Sequence, residues 1–267
     1  SEPALFACEF RSGFAMNRKS GAKASPNAWH VLPEFEGTVM TRDETYEIEP
    51  IAHIRTPFPE KFGIPRQSGL VTEAKGTIVF EPKYRDPDAL RGIEGFSHLW
   101  LIWGFSDVEA GEFSPLVRPP RLGGNEKRGV FATRSPFRPN ELGLSVVKLE
   151  NVVKTKGKGT VLEVSGVDLL DKTPIYDIKP YLPSADAHPQ ASGGFASDPN
   201  EGVLIVDCDD EVLERLGDDA TAVLAALARD PRPAYHDDPE RVYEMRYGSW
   251  TVCFSVDGDT LTVHSVE

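Results

Sequence analysis

Between residues 46 and 170 the apolar residues come in short runs broken by Gly or Pro, and none of these runs continues at helical spacing. "EIEPIAHIRTPF", "GTIVF", "SHLWLIWGF", "RGVFATRS", "GLSVVKLENVV" and "TVLEVSGVDLL" each gather β-branched or aromatic residues over a strand's length. Without long amphipathic helices between them, such strands lack the crossovers that a parallel βαβ sheet requires. The pattern predicts a mainly β fold, an antiparallel barrel or sandwich, for a main domain over residues 45–182.

The flanks read differently. Residues 1–44 mix Gly, Ser, Ala and Pro with isolated aromatics and have no period, which marks an N-terminal extension. Residues 183–202, "PSADAHPQASGGFASDPNEG", nearly lack large apolar side chains and read as a linker or loop. Residues 203–267 are expected to form a small C-terminal α+β domain. "VLIVDC" is a strand, and Asp209 or Asp210 is placed to cap a helix in "EVLERLGDDATAVLAALARD". Gly217 is positioned to split that helix and Pro231 to stop it. "VYEMRYG", "WTVCFSV" and "TLTVHSV" then alternate at period 2, with Asp257-Gly258 as a hairpin signal.

With 267 residues, 40% of them hydrophobic, the chain can bury a sizeable core. Its formal charge of −13 excludes a protein that coats nucleic acid by charge alone. Cys8, Cys208 and Cys253 are odd in number and have no CxxC spacing, so neither a disulfide framework nor a zinc knuckle is expected. The six His residues show no ligand spacing, and no metal is expected. No apolar run approaches the roughly 20 residues of a membrane span, and there is no export signal, so the expected location is cytoplasmic. GxGxxG, GxxxxGK[ST], HExxH and GxSxG are all absent.

Against the acidic background stands "RPPRLGGNEKRGVFATRSPFRP", residues 118–139. It carries Arg118, Arg121, Lys127, Arg128, Arg134 and Arg138 and a single acid, Glu126. Guanidiniums on a loop stiffened by Pro suit forked recognition of phosphate or carboxylate; ion pairs with the chain's many acids are the plainer alternative. "EKFGIPRQSGL", residues 60–70, offers an amide, a hydroxyl and bare backbone at Gln67, Ser68 and Gly69, and can hold an adenine edge or a ribose. "GVDLLDKTPIYDIKPYLPSAD", residues 166–186, sets Asp168, Asp171, Asp177 and Lys179 among three prolines. It reads either as carboxylates balancing a cationic ligand or as the Pro-rich edge of a sheet. His98, inside an apolar run, reads as a hydrogen-bonded core residue rather than a base.

Taken in order, "HIRTPFPEKFGIPRQSGL", "RGIEGFSHLWLIW", "RPPRLGGNEKRGVFATRSPFRPNELGLSVVKL", "GVDLLDKTPIYDIKPYLPSAD" and "DPRPAY" closely resemble the TrmO/YaeB (TsaA-like, VirR-related) family over about residues 48–267. The resemblance implies an S-adenosylmethionine-dependent methyltransferase. Its target would be N6 of the threonylcarbamoyl-modified adenosine next to the anticodon of tRNA. The implied catalytic domain is an antiparallel β-barrel followed by a small C-terminal domain, and the implied assembly is a homodimer.

By matching stretches, the resemblance implies a cofactor pocket drawn from Gln67, Ser68, Gly69, Ser106, Asp107, Arg134, Leu144, Leu170, Asp171, Lys172, Thr173 and Pro174. Arg138, with Arg134, is expected to clamp anionic parts of the nucleoside or cofactor, and Arg118, Arg121, Lys127 and Arg128 to guide the anticodon loop. The acceptor nitrogen must lose a proton. Asp177 and His98 are candidate bases, and substrate-assisted loss with Lys179 steadying the anion is the third route. One departure is visible: where the family commonly has Pro-X-Gly after "RPN", this chain has Glu141-Leu142-Gly143. The competing classes are a non-catalytic RNA-binding or regulatory protein on the same scaffold, and a methyltransferase of an anionic small molecule.

Overall fold

Strands account for most of the regular secondary structure in a computed structural model that describes residues 46–106, 113–122, 124–196, 203–233, 236 and 238–267. The N-terminal extension, Asp107 and the Arg121 side chain lie outside the described residues. Residues Glu47–Glu267 make up one compact unit.

Its first half contains β1 (Ala52–Arg55), β2 (Lys75–Phe80), β3 (His98–Gly104), the short β4 (Leu116–Val117) and β5 (Arg128–Gly129), then β6 (Leu142–Thr155), β7 (Gly159–Ser165) and β8 (Pro174–Pro180). Six of these close into a barrel in the order β1-β2-β7-β6-β3-β8, every pair antiparallel, with β8 bonded to both β3 and β1. The alternation in the sequence points one set of side chains inward. Ile54, Ile78, Phe80, Leu99, Leu101, Val147, Leu162 and Ile175 are at most 6% exposed. A barrel this small is filled by its own side chains, and each such residue stabilises the fold by about 1.5–3 kcal/mol.

Two segments depart from the sequence expectation. "RGVFATRS" makes only the two-residue β5 before turning into a 3-10 turn over Val130–Ala132. Its backbone groups are satisfied locally: Val130 N–H donates to the Pro115 carbonyl at 3.0 Å, and Thr133 N–H and Oγ donate to the Val130 carbonyl. No ladder partner is needed. The Pro-rich segment, conversely, is no edge, because β8 completes the barrel. Pro174 and Pro180 occupy its first and last positions, where a missing N–H costs least.

The second half contains α1 (Pro183–Asp186), β9 (Ile205–Asp207), α2 (Asp210–Leu216), α3 (Ala220–Leu227), β10 (Tyr243–Tyr247), β11 (Trp250–Asp257) and β12 (Thr260–Val266). The sheet runs β10-β11-β12-β9, with β9 parallel to β12. Gly217, at φ +54, breaks the helix as its position suggests. The segment leaving β1 packs on this sheet. Gly248 N–H donates to the Pro57 carbonyl at 2.6 Å, Phe58 meets Tyr247 edge-on, and Phe62 stacks on Tyr243 and Phe254. Gly63, at φ +92, lies so close that a Cβ there would sit 2.5 Å from Met245 Cγ.

Candidate active site

Past that anchored segment the chain reaches Gln67, Ser68 and Gly69, and hydrogen bonds to distant segments fix all three. Upstream, Arg66 Nη2 donates to the carbonyls of Asp230 and Arg232 at 3.2 and 3.4 Å, tying the loop's start to the C-terminal half. Ser68 Oγ accepts from Val146 N–H on β6 at 3.1 Å, and Gly69 N–H donates to the Gly166 carbonyl at 2.9 Å. Gln67 Oε1 accepts from Arg134 Nη1, joining the loop to the basic segment.

The chemical centre of this cluster is Asp168, on the turn between β7 and β8. Ser145 Oγ, 1% exposed on β6, donates to Asp168 Oδ1 at 2.7 Å. The same hydroxyl accepts from Trp103 Nε1 at 3.0 Å. Gly143 lets the indole lie flat on β6, since a Cβ at that position would be 2.3 Å from the ring. Burial pushes the Asp168 carboxyl up to about 6. The Ser145 hydroxyl, the N–H groups of Asp168 and Ser68, and the Arg134 charge oppose that rise. A carboxylate partly withdrawn from water, with a hydroxyl on one oxygen and a guanidinium nearby, can balance a cation or take up a proton near neutral pH.

Around this centre the other expected residues separate. In the Leu170–Pro174 turn, the Asp171 carboxylate faces Arg55 Nη1 and Thr56 N–H, at 3.3 and 3.1 Å. Lys172 adopts φ +69 with its N–H on the Ile54 carbonyl, and the buried Thr173 donates its hydroxyl to the Leu170 carbonyl. These contacts lock the turn onto the end of β1. Leu144 is 52% exposed on β6, and Ser106 is exposed just past β3.

Asp177 and Lys179 form an ion pair of 2.9 Å, with the lysine side chain 63% and the carboxylate side chain 46% exposed. The register against β3 slips by one residue at Tyr176. Ile175 therefore faces the core, while Asp177 and Lys179 face outward.

His98 is half-buried, with Nδ1 2.9 Å from Ser97 Oγ. With Ser68, Gly69, Lys148 and Glu150 it lines a cleft of about 500 Å³. The Ser165 hydroxyl, first, and the Lys148 ammonium hold the Glu150 carboxyl below the usual carboxylate range.

In the basic segment, Arg118 and Lys127 are exposed, and Arg128 pairs with Glu126 at 2.6 Å. Arg138 turns inward: its Nη1 donates to the carbonyls of Thr133 at 2.8 Å and of Val130 and Ser135 at 3.5 Å. This guanidinium shapes the loop that presents Arg134. Asp168 was visible in the sequence as one acid of three, but Ser145 and Trp103 were not singled out. The available signal was a serine in phase with the inward Val147 of a strand, since a buried hydroxyl needs a partner.

Residues 53–187 match the tRNA-methyltransferase O N-terminal domain and residues 211–267 its C-terminal domain. A curated tRNA (adenine(37)-N6)-methyltransferase of Escherichia coli is 43% identical over 219 residues, covering 79% of this chain and 92% of that protein. A Pseudomonas aeruginosa relative, assigned as an S-adenosylmethionine-dependent methyltransferase, is 42% identical over 76% of this chain and 89% of its own length. The crystal structure of TrmO from Pseudomonas aeruginosa superposes with a TM-score of 0.69 at 35% identity, covering 85% of this chain and all of that one.

Proposed function

The chain belongs to the tRNA-methyltransferase O family, and we infer from that premise that it methylates N6 of adenosine 37 in tRNA. The fuller reading is a substrate already bearing threonylcarbamoyl on that adenosine, with S-adenosylmethionine as methyl donor and a homodimer working in the cytoplasm. No helix among the described residues is long and apolar enough to cross a membrane.

The observation that carries this reading is the convergence of three sequence-distant loops, Gln67–Gly69, Arg134 and Asp168, through direct hydrogen bonds and charge. Their donor set fits S-adenosylmethionine, which has a carboxylate, two cationic centres and a polar nucleoside. Arg134 suits the carboxylate and the Gln67–Gly69 loop the nucleoside, with Ser106, Asp107, Leu144 and Leu170–Pro174 completing the pocket. When bound, this group supplies an electrophilic methyl.

The protein's own residues must position the acceptor nitrogen and remove its proton. We assign the proton to Asp168. Ser145 occupies Oδ1, and the raised pKa places the carboxylate near the working pH. Asp177, paired with Lys179, is the weaker candidate. Arg118, Arg121, Lys127 and Arg128 receive the phosphates of the anticodon loop.

Incubating the protein with labelled S-adenosylmethionine and tRNA lacking this methylation, with and without threonylcarbamoyl, tests the reading. Methyl found by nucleoside mass analysis on threonylcarbamoyl-adenosine alone is the expected result, with affinity falling steeply as salt rises. Tight cofactor binding with no transfer would overturn it.

A further inference from the structure

We propose that Phe131, flanked by Phe113, is a stacking platform for an unstacked base of the anticodon loop, an inference that rests on the tRNA reading above. Phe131 is 73% exposed although its neighbour Val130 is 1% exposed, so the segment buries one apolar side chain and leaves the larger one in water. The Phe113 ring lies 6.3 Å away, centroid to centroid, at an interplanar angle of 25°. Leu116, 52% exposed and paired with Gly129 at the start of this turn, extends the apolar surface. Exposed aromatics gathered in this way mark a contact surface.

The backbone beneath is built to hold the ring still. Leu116 and Val117 pair with Gly129 and Arg128, and Val130 N–H is fixed on the Pro115 carbonyl. Arg138 Nη1 then draws the carbonyls of Val130, Thr133 and Ser135 together. A ring mounted on a turn pinned at both ends loses little freedom when a base settles on it.

Charge selects the occupant. Arg118 and Lys127 lie on the same hairpin and, among the described residues, have no ion-pair partner. The segment's one acid, Glu126, is committed to Arg128. In a two-fold contact between copies of the chain, this surface would meet itself, setting cations against cations. An RNA loop brings the complementary set, phosphates for the cations and splayed bases for the ring. Stacking reads no hydrogen-bond pattern, so the platform holds the loop open without selecting its sequence.

The test uses the full-length protein and a synthetic anticodon stem-loop carrying threonylcarbamoyl-adenosine, with binding read by fluorescence anisotropy. Phe131→Ala and Phe131→Leu are expected to weaken binding by about tenfold or more, and Phe131→Tyr to restore it. Abasic substitution along the loop should reveal one position at which wild type falls to the level of Phe131→Ala while the variant loses nothing further. Equal affinity of wild type and Phe131→Ala would overturn the proposal. So would a change from dimer to monomer in sedimentation of Phe131→Ala, which would make the patch a subunit interface. Methyl transfer by the wild type is scored separately, so a failed platform and a failed enzymatic reading give different results.

Discussion

The hydroxyl of Ser145 stands between Trp103 and Asp168, accepting from the indole at 3.0 Å and donating to the carboxylate at 2.7 Å. One oxygen thus serves two otherwise needy groups beneath the candidate site. Ser145→Ala removes both bonds and leaves partly buried polar atoms unsatisfied, which costs about 1–3 kcal/mol in denaturant unfolding. The lost donor had stabilised the carboxylate, so the Asp168 pKa should rise further and carry the acidic limb of the pH–rate profile upward. An unmoved limb would separate Asp168 from the rate.

Asp168 itself makes a prediction about pH. Its carboxyl is raised from 3.8 to about 6 in the fold, so the native state takes up a proton before the unfolded chain does. The group's favourable contribution is complete below 3.8 and is lost as pH rises through 6, leaving a buried charge at neutrality. Asp168→Asn should therefore unfold less readily than wild type at pH 8, by roughly 2–3 kcal/mol at most, with the advantage vanishing near pH 4. If the carboxylate is the base, kcat falls by at least about a hundredfold while cofactor binding survives. Loss of cofactor binding instead would make it a ligand group.

Legibility in the sequence followed the kind of constraint involved. Ile54, Ile78, Leu99, Leu101 and Leu162 announce themselves because burial on one face of a strand imposes a period of 2. Gly217 was legible because a helix tolerates glycine poorly. The two-residue β5 was not, since β propensity in "RGVFATRS" is overridden by hydrogen bonds from Arg138 and Thr133 that no local pattern encodes. The site shows the same division. Gln67, Ser68 and Arg134 stand out by type, but the Trp103–Ser145–Asp168 chain joins two strands and a turn by long-range closure. The outward turn of Asp177 depends on a register slip opposite β3 that its own segment does not reveal.

Glu141 tests a strained turn. It sits at φ +44, immediately before β6, where its carbonyl accepts from Phe105 N–H at 3.1 Å. A proline ring holds φ near −65°, so the Pro-X-Gly pattern common in the family cannot adopt this backbone. Glu141→Gly should relieve about 1 kcal/mol of left-handed strain, and Glu141→Pro should cost more than that. Thermal unfolding of the two variants against wild type reads both. Equal stability of the proline variant would mean that the turn takes another conformation at no cost.

Gly63 tests whether the C-terminal sheet positions the Gln67–Gly69 loop. A side chain there meets two obstacles, the φ of +92 and Met245 Cγ at 2.5 Å. Gly63→Ala must push β10 and the loop apart, with an expected loss of about 2 kcal/mol or more. Gln67 lies only four residues on, beyond the Arg66 bonds to Asp230 and Arg232, so the displacement reaches the partners of Arg134. Weaker S-adenosylmethionine binding in calorimetry, below the melting transition, is the expected companion. Adding Met245→Ala removes the steric obstacle but not the dihedral one, so the double variant should recover part of both losses. Full cofactor affinity in a destabilised Gly63→Ala protein would show that the C-terminal sheet supports the fold without setting the site.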